Sequence, residues 1–169
     1  MRISTLAISA CAALALAACG SDTEGTFTTE DGETGAYAID NDGDEASLTL
    51  STPEGDVTMR TGVNVLIDLP AGFSMISGAD VMSNTTFDQA DTKGALVTFK
   101  SSKSPQEIAD FYREQAESAG VSIQIETSMN GGKMIGGENE DNGTTFSVSA
   151  FPDDDGVVTG QLTISEQAD

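Results

Sequence analysis

The sequence predicts an α+β fold, in which a largely antiparallel β-sheet carries one amphipathic helix, at about residues 105–119, packed on one face. Two observations predict it. Short runs of alternating apolar and polar residues recur between Gly- and Asp-rich turns, which is typical of strands joined by hairpins. One segment has the apolar spacing of a helix. Apolar residues make up 38% of the 169 residues, which is enough for a small core.

The first nineteen residues decide the predicted location. Met1 and Arg2 precede an apolar run that ends in small residues and is too short for a membrane span of ~20 residues. This pattern predicts a cleaved signal peptide at residues 1–18. The segment Leu16-Ala17-Ala18-Cys19 resembles the lipobox of bacterial lipoproteins. The resemblance implies cleavage before Cys19 and diacylglyceryl modification of its thiol.

The same resemblance sets the expected anchor and compartment. Residues 19–25 would form the lipidated Cys and a small polar tether, and the lipid on Cys19 would be the only covalent group. Two acyl chains hold a protein on a membrane without a spanning helix. Because Gly20 rather than Asp follows the Cys, the family's sorting rule favours the outer membrane, facing the periplasm of a Gram-negative bacterium. Ordinary secretion with an unmodified Cys19 is the alternative.

Residues 26–61 are predicted to form short β hairpins. Asp31-Gly32 favours a tight turn, and two further acidic loops separate the next strands. Large apolar residues are few here, so we expect a thin β extension or partial disorder. Strands are predicted at 26–29, 36–39, 46–51 and 57–60.

Residues 62–169 carry the stronger signals and are predicted to form the α+β domain. Ser104, Pro105 and Glu107 give a capping box with Pro at the first helical position, and Gly120 suits the end of the helix. The apolar stripe of this helix is formed by Ile108, Phe111, Tyr112, Ala116 and Ala119. Strands are predicted at 63–69, 81–87, 95–99, 121–125, 133–137, 144–150 and 157–164. The stretch 97–120 also resembles a domain of small bacterial lipoproteins of unknown function, whose shared motifs are structural.

Charge and composition exclude several functions. The chain has 28 acids against 7 bases and no His. Without Arg2 the mature portion keeps six bases, for a net charge of −22, so nucleic acid is not an expected partner. The absence of His removes imidazole catalysis, and no P-loop, Gly-x-Ser-x-Gly or Ser-x-x-Lys motif occurs. The sequence therefore predicts no enzyme, and no cofactor besides the lipid.

Acidic loops offer weak metal candidates. Asp40 and Asp42 precede Gly43, and Asp153 and Asp155 precede Gly156. Neither loop has the oxygen ligand at position one or the Glu at position twelve that an EF-hand needs. Solvated turns are the ordinary interpretation of such loops.

Two functions remain. The first is a lipid-anchored, non-catalytic structural or binding module of the cell envelope, held on the membrane through its lipid, with an envelope protein or polymer as partner. The alternative is a carrier of a small ligand or a divalent cation.

Overall fold

A computed structural model describes residues 23–29, 32–42, 45–62, 67, 69–89 and 91–167. Of these residues, 64% lie in strands and 13% are helical. The predicted α+β class is therefore wrong, and the protein is mostly β. The strands are β1 (Thr23–Thr28), β2 (Thr34–Asp42), β3 (Glu45–Thr52), β4 (Gly55–Gly62), β5 (Ala79–Gln89), β6 (Thr92–Ser101), β7 (Ser122–Met129), β8 (Gly132–Asn139), β9 (Thr144–Pro152) and β10 (Val158–Gln167).

The ten strands form one antiparallel sheet in the order β1-β2-β3-β4-β5-β6-β10-β9-β8-β7. Strands β1 to β6 follow each other as a meander, and β7 to β10 form a second meander that runs back from the far edge. The helix α1 (Pro105–Ser118) connects β6 to β7 and contacts β7, β8 and β9. Its 14 residues span about 21 Å, whereas a ten-stranded sheet is about 43 Å wide. This difference explains why the predicted fold class is wrong, since the helix covers only one end of the sheet.

The local chemistry that predicted α1 is present. The Ser104 side chain accepts a hydrogen bond from the Glu107 backbone N–H (3.2 Å), and the Ser104 N–H donates to Glu107 Oε2 (2.9 Å). The Ser104 hydroxyl also donates to Glu107 Oε2 (2.7 Å), and the hydrogen bonds from the Ser104 N–H and then from its hydroxyl lower the pKa of the Glu107 carboxyl below its ordinary value. Gly120 has a φ of 76°, a left-handed conformation that suits glycine directly after a helix.

The core lies between α1 and the sheet face that α1 covers, named the helix-side face below. Ile108, Ala109, Tyr112 and Ala116 are the helix residues that are buried, while Phe111 is only partly buried. The sheet contributes the buried side chains of Val97, Phe99, Ile135, Phe146, Val148, Ala150, Val158, Leu162 and Ile164. Phe73 and Ile76, in the segment before β5, also belong to this core.

Strands β1 to β4 continue the sheet beyond this core. Each pairs in register with the next, and β4 pairs with β5 from Gly55 to Thr61. Among the described residues of these four strands, Gly35 alone is buried, which agrees with the low apolar content of this region. The proposed boundary at residue 62 stays a prediction. The predicted strand 63–69 falls largely outside the described residues, and Ile67 and Leu69 are not in a strand.

Aromatic side chains lie over glycines of neighbouring strands throughout the sheet. In each case a Cβ on the glycine would meet ring atoms of the aromatic residue, so only glycine leaves room for the ring. Because these contacts link neighbouring strands, they help to fix the sheet register. The pairs are Gly25 with Tyr37, Gly35 with Phe27, Gly94 with Phe87, Gly132 with Phe151, and Gly160 with Phe99.

Candidate functional site

A cleft of about 810 Å³ lies on the helix-side face, beside the core. Its floor is formed by strands β4, β5, β6 and β10, and its wall by Ile67, Leu69, Pro70 and Ala71. Side chains two residues apart on a strand share a face, and this period brings Asp56, Thr58 and Arg60 of β4 together on the floor. Thr86 and Asp88 of β5, Lys93 of β6 and Glu166 of β10 complete the floor.

The strand register arranges the charged floor residues in a row at one end of the cleft. Asp56 is opposite Asp88, Asp88 is opposite Lys93, and Lys93 is opposite Glu166. The Lys93 ammonium makes an ion pair with Glu166 Oε1 at 3.1 Å. This acidic row is defined here as Asp56, Asp88, Lys93 and Glu166, and its three carboxylates outnumber its one cation.

The middle of the floor is neutral. Thr58 is opposite Thr86, and the Thr86 hydroxyl donates to the Thr58 carbonyl oxygen at 3.4 Å. The Thr58 hydroxyl shares a hydrogen bond of 3.2 Å with Thr49. These two hydroxyl groups thus have partners in the sheet.

Arg60 lies at the end of the floor opposite the acidic row. It is half-buried and opposite Asn84, a residue that is 1% exposed. Arg60 is four positions along the strand from Asp56, which corresponds to about 13 Å. Among the described residues, the ion pairs that form are those of Lys93, Lys103 and Arg113, and no carboxylate lies within 4 Å of the Arg60 guanidinium.

The wall of the cleft is apolar and rests on the core. Ile67, Leu69 and Ala71 pack against the core, and the turn Pro70–Gly72 contacts β6 and β10. The Phe73 N–H donates to the Pro70 carbonyl oxygen at 3.2 Å, which closes this turn. Ala71 has a φ of 56°, a left-handed conformation that costs about 1–2 kcal/mol for a residue with a Cβ. The surrounding packing therefore holds the wall in a defined path.

Phe111 lines a second, smaller groove of about 360 Å³ between α1 and the same wall. Gln115 lies at its edge, and its side chain hydrogen-bonds Ser74 in three ways, at 2.7, 3.0 and 3.1 Å. These bonds connect the helix to the chain just after the wall. The groove is shallow and mostly helix surface, so the larger cleft is the better candidate for a site.

The residues that the sequence singled out lie elsewhere. Cys19 is outside the described residues. Asp153 and Asp155 lie in the turn between β9 and β10, where Asp153 accepts from the Thr159 hydroxyl (2.8 Å) and Asp155 from the Val157 N–H (3.2 Å).

Asp40 and Asp42 lie at the end of β2, which is five strand positions from β10 in the sheet. In the part of the chain that the structure describes, no group of three or more acidic, Cys or His side chains could hold a metal ion. No helix within that part is long and apolar enough to cross a membrane.

The sequence reasoning missed the cleft residues. A signal was available, since Asp56, Thr58 and Arg60 are polar at every second position while Val57 and Met59 between them are apolar. This alternation shows that β4 has one polar face. It does not show that the wall lies over that face, which depends on where the tertiary structure places Ile67 and residues 69–71.

Residues 80–156 match a family model described as START domain-like. The match covers 77 of the 169 residues, from β5 through β9 and including α1. It supports a ligand-binding module as the class of protein, in agreement with the carrier alternative. Comparison with curated proteins finds no match. Comparison with solved structures finds none either.

Proposed function

We propose that the protein is a lipid-anchored module of the cell envelope that binds a small ligand in the cleft between the sheet and the wall formed by Ile67 and residues 69–71. The observation that carries this proposal is the cleft itself. Its volume of about 810 Å³ falls within the ~300–1,000 Å³ of most small-molecule sites. The START domain-like match to residues 80–156 supports the same class, because β5 and β6 of the floor belong to the matched region.

The lining supports reversible binding. Small-molecule sites combine an apolar surface with a few polar groups that fix the orientation of the ligand. Here Ile67, Leu69 and Pro70 supply the apolar surface, and the floor supplies the polar groups. The chain contains no His and no Cys after residue 19, so proton transfer by imidazole and thiol chemistry have no residues at this site.

The envelope location rests on the leader. The lipobox-like residues Leu16 to Cys19 support lipidation, with the outer membrane as the expected destination. A net charge of −22 on the mature portion repels anionic head groups, which favours attachment through the lipid over attachment through the protein surface.

Replacement of Cys19 by serine tests the anchor. Because the thioether needs the sulfur of Cys19, the variant should accumulate as an uncleaved precursor without lipid. Metabolic labelling with a fatty acid and the mass of the intact chain measure the result. A variant that is still processed and still carries thioether-linked lipid would contradict the proposal.

A charged substitution in the wall tests the cleft. Leu69→Glu should weaken binding of the neutral fluorescent probe N-phenyl-1-naphthylamine by about tenfold or more, because a carboxylate would be placed on the apolar surface. Met129→Glu is the matched control, since Met129 is 57% exposed on the edge strand β7. Fluorescence titration of both variants and of the unsubstituted protein measures the dissociation constants, and thermal melts confirm that both variants are folded.

The outcomes of this titration are distinct. Loss of probe binding in Leu69→Glu but not in Met129→Glu supports the cleft as the site. Absence of probe binding by the unsubstituted protein, or equal binding by the two folded variants, would refute it.

A further inference from the structure

Arg60 is one of three basic residues, with Lys100 and Lys133, that form no ion pair among the described residues, and of these three only Arg60 lines the cleft. The mature portion has six basic residues against 28 acids, so a basic side chain has many carboxylates available for pairing. Three of the basic residues form ion pairs, with Glu166, Glu107 and Glu126 as their acids. Arg60, half-buried on the floor of the cleft, has no carboxylate within 4 Å among the described residues.

The position of Arg60 favours an external anion. A guanidinium presents its donors in a planar fork that fits a carboxylate or a phosphate through two parallel hydrogen bonds. Partial burial strengthens such a contact, because the surrounding dielectric constant is lower than that of water. The remaining charges of the floor lie in the acidic row, about 13 Å from Arg60 along the strand, and would not compete for the same anion.

The shape of the cleft restricts the rest of the ligand. Between Arg60 and the acidic row, the floor is neutral at Thr58 and Thr86, and the wall beside it is apolar. An anionic group on Arg60 would therefore continue into a region that favours apolar atoms. The acidic row at the far end disfavours a second negative charge there.

We propose that the cleft binds an amphipathic anion, in which a single carboxylate or phosphate head group contacts Arg60 and an apolar chain lies against Ile67 and Leu69. This inference rests on the proposed function, since it assigns a ligand class to the same cleft. The net charge of −22 repels anions at long range, so a preference for an anionic ligand must come from a local contact.

Three ten-carbon ligands that differ in their head groups test the contact with Arg60. Decanoate, decyl phosphate and decanol are titrated calorimetrically against the unsubstituted protein, Arg60→Gln and Arg60→Lys. We expect Arg60→Gln to weaken binding of the preferred anion by about tenfold or more, and Arg60→Lys to keep part of that binding. Binding of decanol should change by less than about twofold, because decanol has no charge to pair.

Arg113→Gln is the matched control. It also removes one positive charge, but Arg113 lies on α1 and pairs with Glu126 of β7 at 3.0 Å, outside the cleft. Anion binding by Arg113→Gln should equal that of the unsubstituted protein. A loss as large as that of Arg60→Gln would show that net charge, not Arg60, determines the affinity, and would overturn the inference.

The remaining outcomes separate the two proposals. If decanol bound as tightly as both anions, the anion inference would be overturned. If Leu69→Glu also weakened that binding, the cleft would remain the binding site. Failure of all three ligands to bind the unsubstituted protein would refute the inference, and the absence of N-phenyl-1-naphthylamine binding would then also refute the cleft. Preference for decanoate or for decyl phosphate assigns the head group.

Discussion

Replacement of Tyr112 by alanine should lower the free energy of unfolding by about 3–5 kcal/mol, as for other large aromatic residues of a core. Tyr112 is fully buried and its ring packs against Phe99 and Phe111, with ring centroids 6.2 and 5.1 Å away. Truncation would leave a cavity and remove both contacts. Chemical denaturation measures the change, and a loss similar to that of the partly buried Phe111→Ala would contradict this view of the core.

The hydroxyl of Tyr112 adds a dependence on pH. It accepts a hydrogen bond from the Ile76 N–H (3.3 Å) and donates to Met75 Sδ (3.6 Å). Burial raises the pKa of Tyr112 to about 12, and the hydrogen bond from Ile76 opposes this rise. Since the fold favours the protonated form, the contribution of this group is fully present below pH 10.0, the ordinary pKa of a tyrosine.

This contribution should disappear as the pH rises from 10 to about 12. The shift corresponds to about 2–3 kcal/mol, which the unsubstituted protein should lose relative to Tyr112→Phe over that range. Tyr112→Phe keeps the ring and lacks the titrating group, so groups common to both proteins cancel. If the free energies of unfolding of the two proteins changed equally between pH 9 and 12, Tyr112 would not titrate as expected.

Gly160→Ala should lower the free energy of unfolding by about 1–3 kcal/mol, which is the typical cost of extra volume in a packed core. Gly160 of β10 is opposite Phe99 of β6, and a Cβ at Gly160 would lie 2.6 Å from Cε2 of the Phe99 ring. Phe99 is itself fully buried against Tyr112 and cannot move aside easily.

Gly136→Ala is the matched control for this substitution. Gly136 is also a buried strand glycine, but a Cβ there would come no closer than 3.1 Å to another atom, the carbonyl oxygen of Phe146. In thermal melts, the melting temperature of Gly136→Ala should therefore be higher than that of Gly160→Ala. The reverse order would mean that the ring of Phe99 does not occupy the space over Gly160.

Local chemistry made much of the fold predictable. The capping box at Ser104 and Glu107 located the helix, because those contacts involve neighbouring residues alone. Turn residues located the strands for the same reason. The error in fold class came from long-range structure: all ten strands share one sheet, and a 14-residue helix can cover only part of it.

The helix register was predictable only in part. Ile108, Tyr112 and Ala116 are buried as expected, but Ala109 replaces Phe111 as a fully covered position. Spacing alone favoured the larger residue. In the structure, the small Ala109 lies in the core between helix and sheet, and Phe111 lies at its margin beside the wall.

The cleft could not be predicted because its parts are distant in the chain. Arg60 and Glu166 reach one floor only through the order β4-β5-β6-β10. That order depends on which strands pair, and alternation within a strand carries no information about its partners. The wall adds a further long-range contact, because the turn Pro70–Gly72 contacts β6 and β10, which follow it in sequence.

The position of β10 has a consequence for how the molecule assembles. This strand follows all the others in the sequence, yet it lies between β6 and β9 and joins the two meanders. Until it is in place, β6 and β9 each present an unpaired edge, and unpaired edges promote aggregation. Cooperative folding must therefore wait for the end of β10. A chain that emerges residue by residue, from the ribosome or through a membrane, would keep both edges unpaired until β10 had emerged.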